Sequence, residues 1–365
     1  MTTYLLAGGG TAGHVNPLLA VADGLRARDP EAEILVVGTA EGLESRLVPE
    51  RGYELLTIPK LPFPRRPNAA ALRYPSRLRS AVSSVVEIIR EHRVDVVIGF
   101  GGYAAAPAYR AAKRAKVPLV IHEANARPGL ANRLGARYTP YVGVAFHRTP
   151  IRNARFVGMP LRHEIEVLDR DALRPSALTE FGLVAERPLL LVTGGSLGAR
   201  RINATMSESA ADIVATGWQV LHITGATSEI SDPGVEHYRL LDYCSRMDLA
   251  IAAADLAVSR AGSATVSELC AVGVPAVYVP YPVGNGEQRF NAADVVRAGG
   301  AVMVDDARFV SEWVREHLVP LLADRHRVDD MAAQSKSVGV SDGTARMIAL
   351  IDEALQPSVQ RVRGR

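Results

Sequence analysis

Thr3 to Leu25 read TYLLAGGGTAGHVNPLLAVADGL, a short apolar run, then a glycine loop, then a longer amphipathic stretch. Tyr4 to Ala7 has the character of a strand, and Leu18, Leu19, Val21, Ala22 and Leu25 recur beyond the loop at helical spacing. A strand that feeds a helix through a tight glycine turn is the opening unit of a parallel α/β sheet. The rhythm continues outward. Ile34 to Val37, Val94 to Ile98 and Leu119 to Ile121 read as further strands of the first half, and Leu189 to Val192, Val220 to Ile223, Leu256 to Val258 and Ala276 to Val279 as strands of the second. Short, uninterrupted apolar runs suit strands covered on both faces by crossover helices. The expected class is α/β, with two similar parallel-sheet halves.

A chain of 365 residues is long enough for two domains at roughly 150 residues each. The joint is expected near Val157 to Arg174, because the sequence turns polar between Gly158 and Arg187 and is punctuated by Pro160, Pro175 and Pro188. This gives an N-terminal domain over 1–160, a C-terminal domain over 161–340 and a closing segment over 341–365. In that segment Ala345, Ile348, Ala349 and Ile351 sit at helical spacing ahead of a short basic tail.

Hydrophobic residues at 48% and charged residues at 22% match a folded globular chain and exclude extensive disorder. A formal charge of +3 is too small for wholesale nucleic-acid binding. Cys244 and Cys270 have neither metal-ligand spacing nor a disulfide framework, which suits core residues in a reducing compartment. Met1 runs into an apolar strand without a basic leader, and no apolar run approaches the ~18 residues of a membrane span. Neither export nor membrane spanning is expected.

Glycine at a strand-to-helix turn lets backbone approach a ligand, and the N–H groups of a helix start attract anions. Besides Gly8-Gly9-Gly10, Gly101-Gly102-Tyr103 follows a strand ending at Gly99, and Gly194-Gly195-Ser196-Leu197-Gly198 follows one ending at Thr193. Three such loops at carboxyl ends of strands point to more than one phosphate group, bound where the halves face each other across a cleft. A nicotinamide dinucleotide fits poorly. The frame Gly8, Gly10, Gly13 matches G-x-G-x-x-G, yet Gly38, Thr39 and Ala40 stand where the acidic ribose ligand belongs, and Glu41 is the first candidate.

In the second half, Ser259 to Glu268 read SRAGSATVSE after a strand. Ser263 to Ser267 at the helix start could receive a diphosphate and Glu268, one turn on, the ribose hydroxyls; the plainer alternative makes Ser263 a helix cap. Further on, Gln288 and Asn291 are three apart and would share a helical face, with amides suited to sugar hydroxyls.

GGGTAGHVNP (Gly8 to Pro17), GGYAAAP (Gly101 to Pro107), HEANA (His122 to Ala126), GGSLGARRIN (Gly194 to Asn203), SRAGSATVSE and GNGEQRFNA (Gly284 to Ala292) occur in that order. Over nearly its whole length the chain resembles the MurG-type N-acetylglucosaminyltransferases, which convert lipid I to lipid II in peptidoglycan synthesis. The resemblance implies a GT-B fold, two Rossmann-like domains facing a cleft, with the last helix crossing back to the first. It implies UDP-N-acetylglucosamine contacts at Thr11, Ala12, Gly13, Asn125, Arg162, Ser196, Ser263, Ala264, Thr265, Val266, Ser267, Glu268 and Gln288, with Glu268 on the ribose. Cys244 is the match for a nucleotide contact in the loop before Met247. Ala12 replaces a glycine of many relatives, and Glu287 a glutamine of some. The implied acceptor is lipid I, an undecaprenyl-pyrophosphoryl substrate, used at the cytoplasmic face of the cell membrane by a peripheral enzyme without a cofactor. Cell-wall and division proteins are further implied partners, and nucleic acid is not.

Inverting transfer needs a base for the acceptor hydroxyl and electrostatic help for the departing diphosphate. His14 is the candidate base, since an imidazole near its ordinary pKa of ~6.5 accepts a proton at neutral pH; the alternative is that it binds a phosphate or caps the helix. The acceptor diphosphate is expected at Gly9, Gly10, Gly101, Gly102 and Tyr103, and UDP at Ser196 and Ser263 to Thr265, with Arg162 meeting the leaving charge. Asp169-Arg170-Asp171 spells DxD, the usual mark of a metal-bridged diphosphate, but it lies in the interdomain stretch and reads as solvated surface, so no metal is expected.

From Lys60 to Val86 no acidic residue occurs, while Lys60, Arg65, Arg66, Arg73, Arg77 and Arg79 alternate with Leu61, Phe63, Leu72, Tyr74, Leu78, Val82, Val85 and Val86. A basic rim around exposed apolar residues suits the anionic inner-membrane surface, unless those apolar residues are core. The competing functions are a UDP-N-acetylglucosamine epimerase, another GT-B glycosyltransferase, and a catalytically inert nucleotide-binding or scaffold module.

Overall fold

The apolar runs become strands buried on both faces. The computed structural model describes residues 1–64, 69–195, 199–226, 228, 230–282 and 286–356. They form two units, Met1–Arg162 with the segment that begins at Asp342, and His163–Ser341.

The first unit holds a seven-stranded parallel sheet in the order β3-β2-β1-β4-β5-β6-β7. Its strands are β1 (Thr3–Gly8), β2 (Glu33–Gly38), β3 (Glu54–Thr57), β4 (Val96–Gly101), β5 (Leu119–Glu123), β6 (Tyr141–Val144) and β7 (Ala154–Phe156). Helices α1 (Ala12–Arg28), α2 (Glu44–Glu50), α3 (Ala69–Glu91), α4 (Ala105–Ala115) and α5 (Leu130–Gly135) lie between them. Strand order reverses between β1 and β4, the switch point where doubly wound sheets bind ligands. The glycine loops after β1 and β4 meet there, since Gly8 pairs with Gly101 and a Cβ on Gly102 would overlap the Gly9 carbonyl.

The second unit carries six parallel strands in the order β10-β9-β8-β11-β12-β13. They are β8 (Leu189–Thr193), β9 (Gln219–Ile223), β10 (Tyr238–Leu241), β11 (Leu256–Ser259), β12 (Ala276–Tyr278) and β13 (Ala301–Met303). Ahead of the sheet come α6 (His163–Glu166) and α7 (Arg170–Glu180); α8 (Arg200–Glu208), α9 (Ala210–Val214), α10 (Met247–Ala253), α11 (Ser263–Val272), α12 (Glu287–Asn291) and α13 (Ala293–Ala298) follow along the chain. After β13 come α14 (Ser311–Trp313), α15 (Val319–Ala323) and α16 (Arg325–Val338). Here the switch point lies between β8 and β11.

The last helix, α17 (Gly343–Leu355), belongs to the first unit. Met347, Leu350 and Ile351 are buried in the cluster that holds Leu18, Val21 and Leu25 of α1. Gly24 of α1 allows the approach, because a Cβ there would lie 2.8 Å from Thr344 Cγ2 and 2.9 Å from Ile348 Cδ1. The face expected from Ala345, Ile348, Ala349 and Ile351 is rotated in the structure: Ala345 and Ala349 are exposed, and the larger Met347 and Leu350 take the interior.

Other boundaries also move. β4 runs from Val96 to Gly101 rather than from Val94 to Ile98, so the second glycine loop begins inside the strand's end. The interdomain stretch is partly helical. Asp169 caps α7 by accepting the Ala172 N–H at 3.1 Å, and Arg170 and Arg174 clamp Asp255 at 3.0 and 2.8 Å. Thus Asp169 and Asp171 are exposed as expected of surface, whereas the arginine between them turns inward to a half-buried ion-pair cluster.

Candidate functional site

Thr11 is the N-cap of α1, and Ala12, Gly13 and His14 form its first turn at the carboxyl end of β1. His14 Nδ1 lies 3.2 Å from the Gly9 carbonyl and 3.1 Å from Thr11 Oγ1. A carbonyl only accepts, so Nδ1 carries the hydrogen and the lone pair is on Nε2. That edge of the ring runs beside the second glycine loop, where a Cβ on Gly101 would stand 3.1 Å from Nε2. Burial lowers the imidazole below its usual pKa of 6.5, opposed by the Gly9 hydrogen bond and the charge of Glu44. At neutral pH His14 is therefore a neutral ring with a directed proton acceptor.

Glu44, which sequence reasoning passed over, lies beneath this loop. Its carboxylate is fully buried and accepts the Gly10 N–H at 2.7 Å, the Thr39 N–H at 2.9 Å and the Thr39 hydroxyl at 2.8 Å. These donors hold it below the usual carboxylate range in spite of desolvation. Side chains at Gly9 or Gly42 would overlap it. The acid near the end of β2 is thus not a ribose ligand, the role for which Glu41 was the first candidate; it ties down the loop's own backbone. The Gly10 N–H, which the sequence reading offered to an acceptor diphosphate, is engaged by Glu44. The available signal was the pair Gly38 and Gly42 around Glu44, small residues that make room for a carboxylate.

At the end of β5, Glu123 is buried and accepts the Asn125 N–H, the Gly129 N–H and Asn132 Nδ2, each at 2.9 Å. It shapes the turn that presents the half-buried Asn125, and burial raises its pKa. Tyr109 donates to Asn132 Oδ1 at 2.6 Å, completing the support. Tyr103, 40% exposed, stands beyond Gly102 with Lys60 Nζ 5.2 Å from its ring centre. Arg162 is half-buried at the end of the unit.

In the second unit, α11 starts after β11, and its N-cap is Gly262 rather than Ser263. The N–H groups of Ser263, Ala264 and Thr265 occupy the first turn, where helical geometry provides no intrahelical acceptor. Ser263 is buried, as is Val266, whose side chain belongs to the interior and leaves only its backbone to a ligand. Thr265, Ser267 and Glu268 are half-buried. Arg260, just ahead, pairs with Asp306 at 2.6 Å and stacks 5.4 Å from the Tyr281 ring centre.

The amide pair expected on α12 divides. Gln288 is half-buried and accepts the Tyr281 N–H at 2.8 Å, while Asn291 is buried and donates to the Ala261 carbonyl at 3.2 Å. Asn291 therefore braces the loop before α11 instead of offering its amide to a sugar. Cys244 is buried in the loop between β10 and α10, next to Tyr243, which is 62% exposed. Ser196 lies outside the described residues.

The basic segment also needs correction. Leu61, Leu78, Val82, Val85 and Val86 are core residues of the first unit. Among the described large apolar side chains of the segment, only Phe63 and Leu72 are well exposed, at 56% and 85%, with Tyr74 half-buried and edge-on to Phe63. Lys60, Arg73, Arg77 and Arg79 are exposed, whereas Arg65 and Arg66 lie outside the described residues. No helix among the described residues is long and apolar enough to cross a membrane.

The family 28 glycosyltransferase N-terminal domain matches residues 4–144, and the family 28 C-terminal domain matches residues 189–347. A UDP-N-acetylglucosamine–N-acetylmuramyl-(pentapeptide) pyrophosphoryl-undecaprenol N-acetylglucosamine transferase of Leifsonia xyli subsp. xyli is 68% identical over 355 residues, 97% of this chain and 99% of its own. A protein of the same description from Clavibacter sepedonicus is 61% identical over 366 residues, all of both chains. The crystal structure of Acinetobacter baumannii MurG superposes with a TM-score of 0.80 at 26% identity, covering 97% of this chain and 100% of that one. The α/β architecture with two parallel sheets is accordingly of the GT-B type. The chain belongs to glycosyltransferase family 28, and within it to the MurG family.

Proposed function

We propose that this chain transfers N-acetylglucosamine from UDP-N-acetylglucosamine to the C4 hydroxyl of the N-acetylmuramoyl-peptide of lipid I, with inversion, giving lipid II for peptidoglycan synthesis. The observation that carries the reading is full-length identity of 68% to a transferase of that description. The geometry of His14 supplies the chemistry. Its Nε2 takes the proton of the C4 hydroxyl as that oxygen attacks C1 of the donor sugar, the C1–O bond to UDP breaks, and the electron pair leaves on the diphosphate.

UDP is received at the start of α11, where the N–H groups of Ser263 to Thr265 and the helix dipole meet negative charge. Glu268 takes the ribose, Gln288 and Asn125 the sugar, Arg162 the leaving diphosphate and the Cys244 loop the base, with the exposed Tyr243 ring offering it a face. The acceptor diphosphate lies at Gly9, Gly101, Gly102 and Tyr103. No divalent cation takes part, because the only DxD spelling in the chain is a helix cap and an arginine clamp. Transfer at an undiminished rate in chelator, with a β-linked disaccharide-lipid product by NMR, is the expected result. Loss of activity in chelator that magnesium restores would contradict the metal-free route.

The enzyme works at the cytoplasmic face of the cell membrane as a peripheral protein. Phe63 and Leu72 enter the interface while Lys60, Arg73, Arg77 and Arg79, together with Arg65 and Arg66 of the same segment, meet anionic headgroups at ~1 kcal/mol per cation near the surface.

A further inference from the structure

Three glycines, two hydrogen-bond donors of Thr39 and the N–H of Gly10 all converge on one acidic side chain that the reaction does not consume. A Cβ at Gly9, Gly38 or Gly42 would strike the Glu44 side chain, so all three positions are kept clear for it. Glu44 is buried, 34 residues from Gly10 in sequence, and comes from α2 rather than from the loop it binds. A buried carboxylate needs such donors, and conversely it holds them in one geometry. Gly9, next to the Gly10 N–H that Glu44 fixes, supplies the carbonyl that receives Nδ1–H of His14.

We infer that Glu44 is the positioning residue of the transfer reaction: by locking the first glycine loop it sets the Gly9 carbonyl, and through it the tautomer and aim of His14. The inference rests on the reading of His14 as the base. Its physical content is a two-step relay. Glu44 fixes backbone, backbone fixes the hydrogen on Nδ1, and the lone pair at Nε2 is left for the acceptor hydroxyl. The negative charge of Glu44 also favours the imidazolium that forms during transfer. Thr11 Oγ1 also lies 3.1 Å from Nδ1; on the flanks stand the neutral Asn132 of α5, beside Gly101, with Glu123 of β5 behind it, and, further off beyond Gly10, Tyr103 with Lys60 over its ring.

The test is steady-state kinetics of the full chain with a lipid I analogue, across pH, for Glu44→Gln, Thr39→Val and His14→Ala. An amide at Glu44 cannot accept on both arms, so one of the N–H groups loses its partner. Glu44→Gln is expected to lower kcat about tenfold or more with KM for UDP-N-acetylglucosamine unchanged, and to move the acidic limb of kcat to lower pH because an anion beside the base is gone. Thr39→Val removes one donor but keeps the charge; it is expected to lower kcat less and leave the limb in place, and it decides the matter if Glu44→Gln does not fold by thermal melt. Wild-type kcat in Thr39→Val, or a folded Glu44→Gln with wild-type kcat and limb, would overturn the role of Glu44 while a dead His14→Ala left the base in place. Full turnover in His14→Ala would overturn both.

Discussion

His14 could be singled out in the sequence because it directly follows the first glycine loop. Replacing it with Ala is expected to lower kcat by ~10²-fold or more, the usual share of general-base catalysis. Isothermal titration should then show donor binding retained; equal losses of binding and rate would mark His14 as a phosphate ligand instead. Its pH dependence has a definite sign. In the proposed role His14 works as the neutral ring, and burial holds its pKa below 6.5, so kcat should be full at neutral pH and fall as pH drops through a point below 6.5. A limb above 6.5 would show another group titrating. Glu44 was not legible, because its partners Gly10 and Thr39 are joined to it only by folding, and an acid at the start of a short helix looks like ordinary surface. Asn291 misled in the opposite sense: its spacing from Gln288 is that of a shared face, but the structure spends its amide on the Ala261 carbonyl.

At the scale of elements, eight strands were readable, whereas β3, β6, β7, β10 and β13 were not. β1, β2, β4, β5, β8, β9, β11 and β12 are mostly apolar, with Glu33, Glu123 and Gln219 only at strand ends and His122 and His222 buried within, whereas β3, β7 and β10 contain Glu54, Arg155 and Arg239 and lie at sheet edges, where one side faces no partner strand. The helix α17 was found as an element with its face rotated. Its attachment can be tested directly. Met347 is fully buried among α1 and sheet residues, so Met347→Ala should cost about 2–5 kcal/mol in denaturant titration of the chain. A cost near zero would mean that α17 is not docked as described. The N-terminal part of α3 bears a separate expectation. Leu72→Asp with Arg73→Glu should reduce co-sedimentation with anionic vesicles and its salt sensitivity, while leaving transfer to a soluble acceptor analogue intact. Binding indifferent to these changes, to anionic lipid and to salt would remove α3 from the membrane account.

For the whole molecule, each unit contains one buried histidine with a pKa pushed down to about 4, His122 in β5 and His222 in β9. Both are neutral in the fold and titrate near 6.5 once unfolded. The unfolded chain therefore binds more protons between about pH 6.5 and about 4, and stability falls as pH is lowered through that window, on the order of 3 kcal/mol for each. Urea titrations at neutral and mildly acid pH read this directly, and equal stability at both would contradict it. The duplicated architecture was visible in the repeated strand rhythm, and its function was visible in six motifs spread along the chain. What no local pattern could disclose was which polar groups the fold uses for itself. The most direct measurement incubates the purified chain with radiolabelled UDP-N-acetylglucosamine, with and without a lipid I analogue, and separates the products. Label in a disaccharide-lipid, formed only when acceptor is present, is the expected result; free sugar or an epimer formed without acceptor, or donor binding without any transfer, would contradict it.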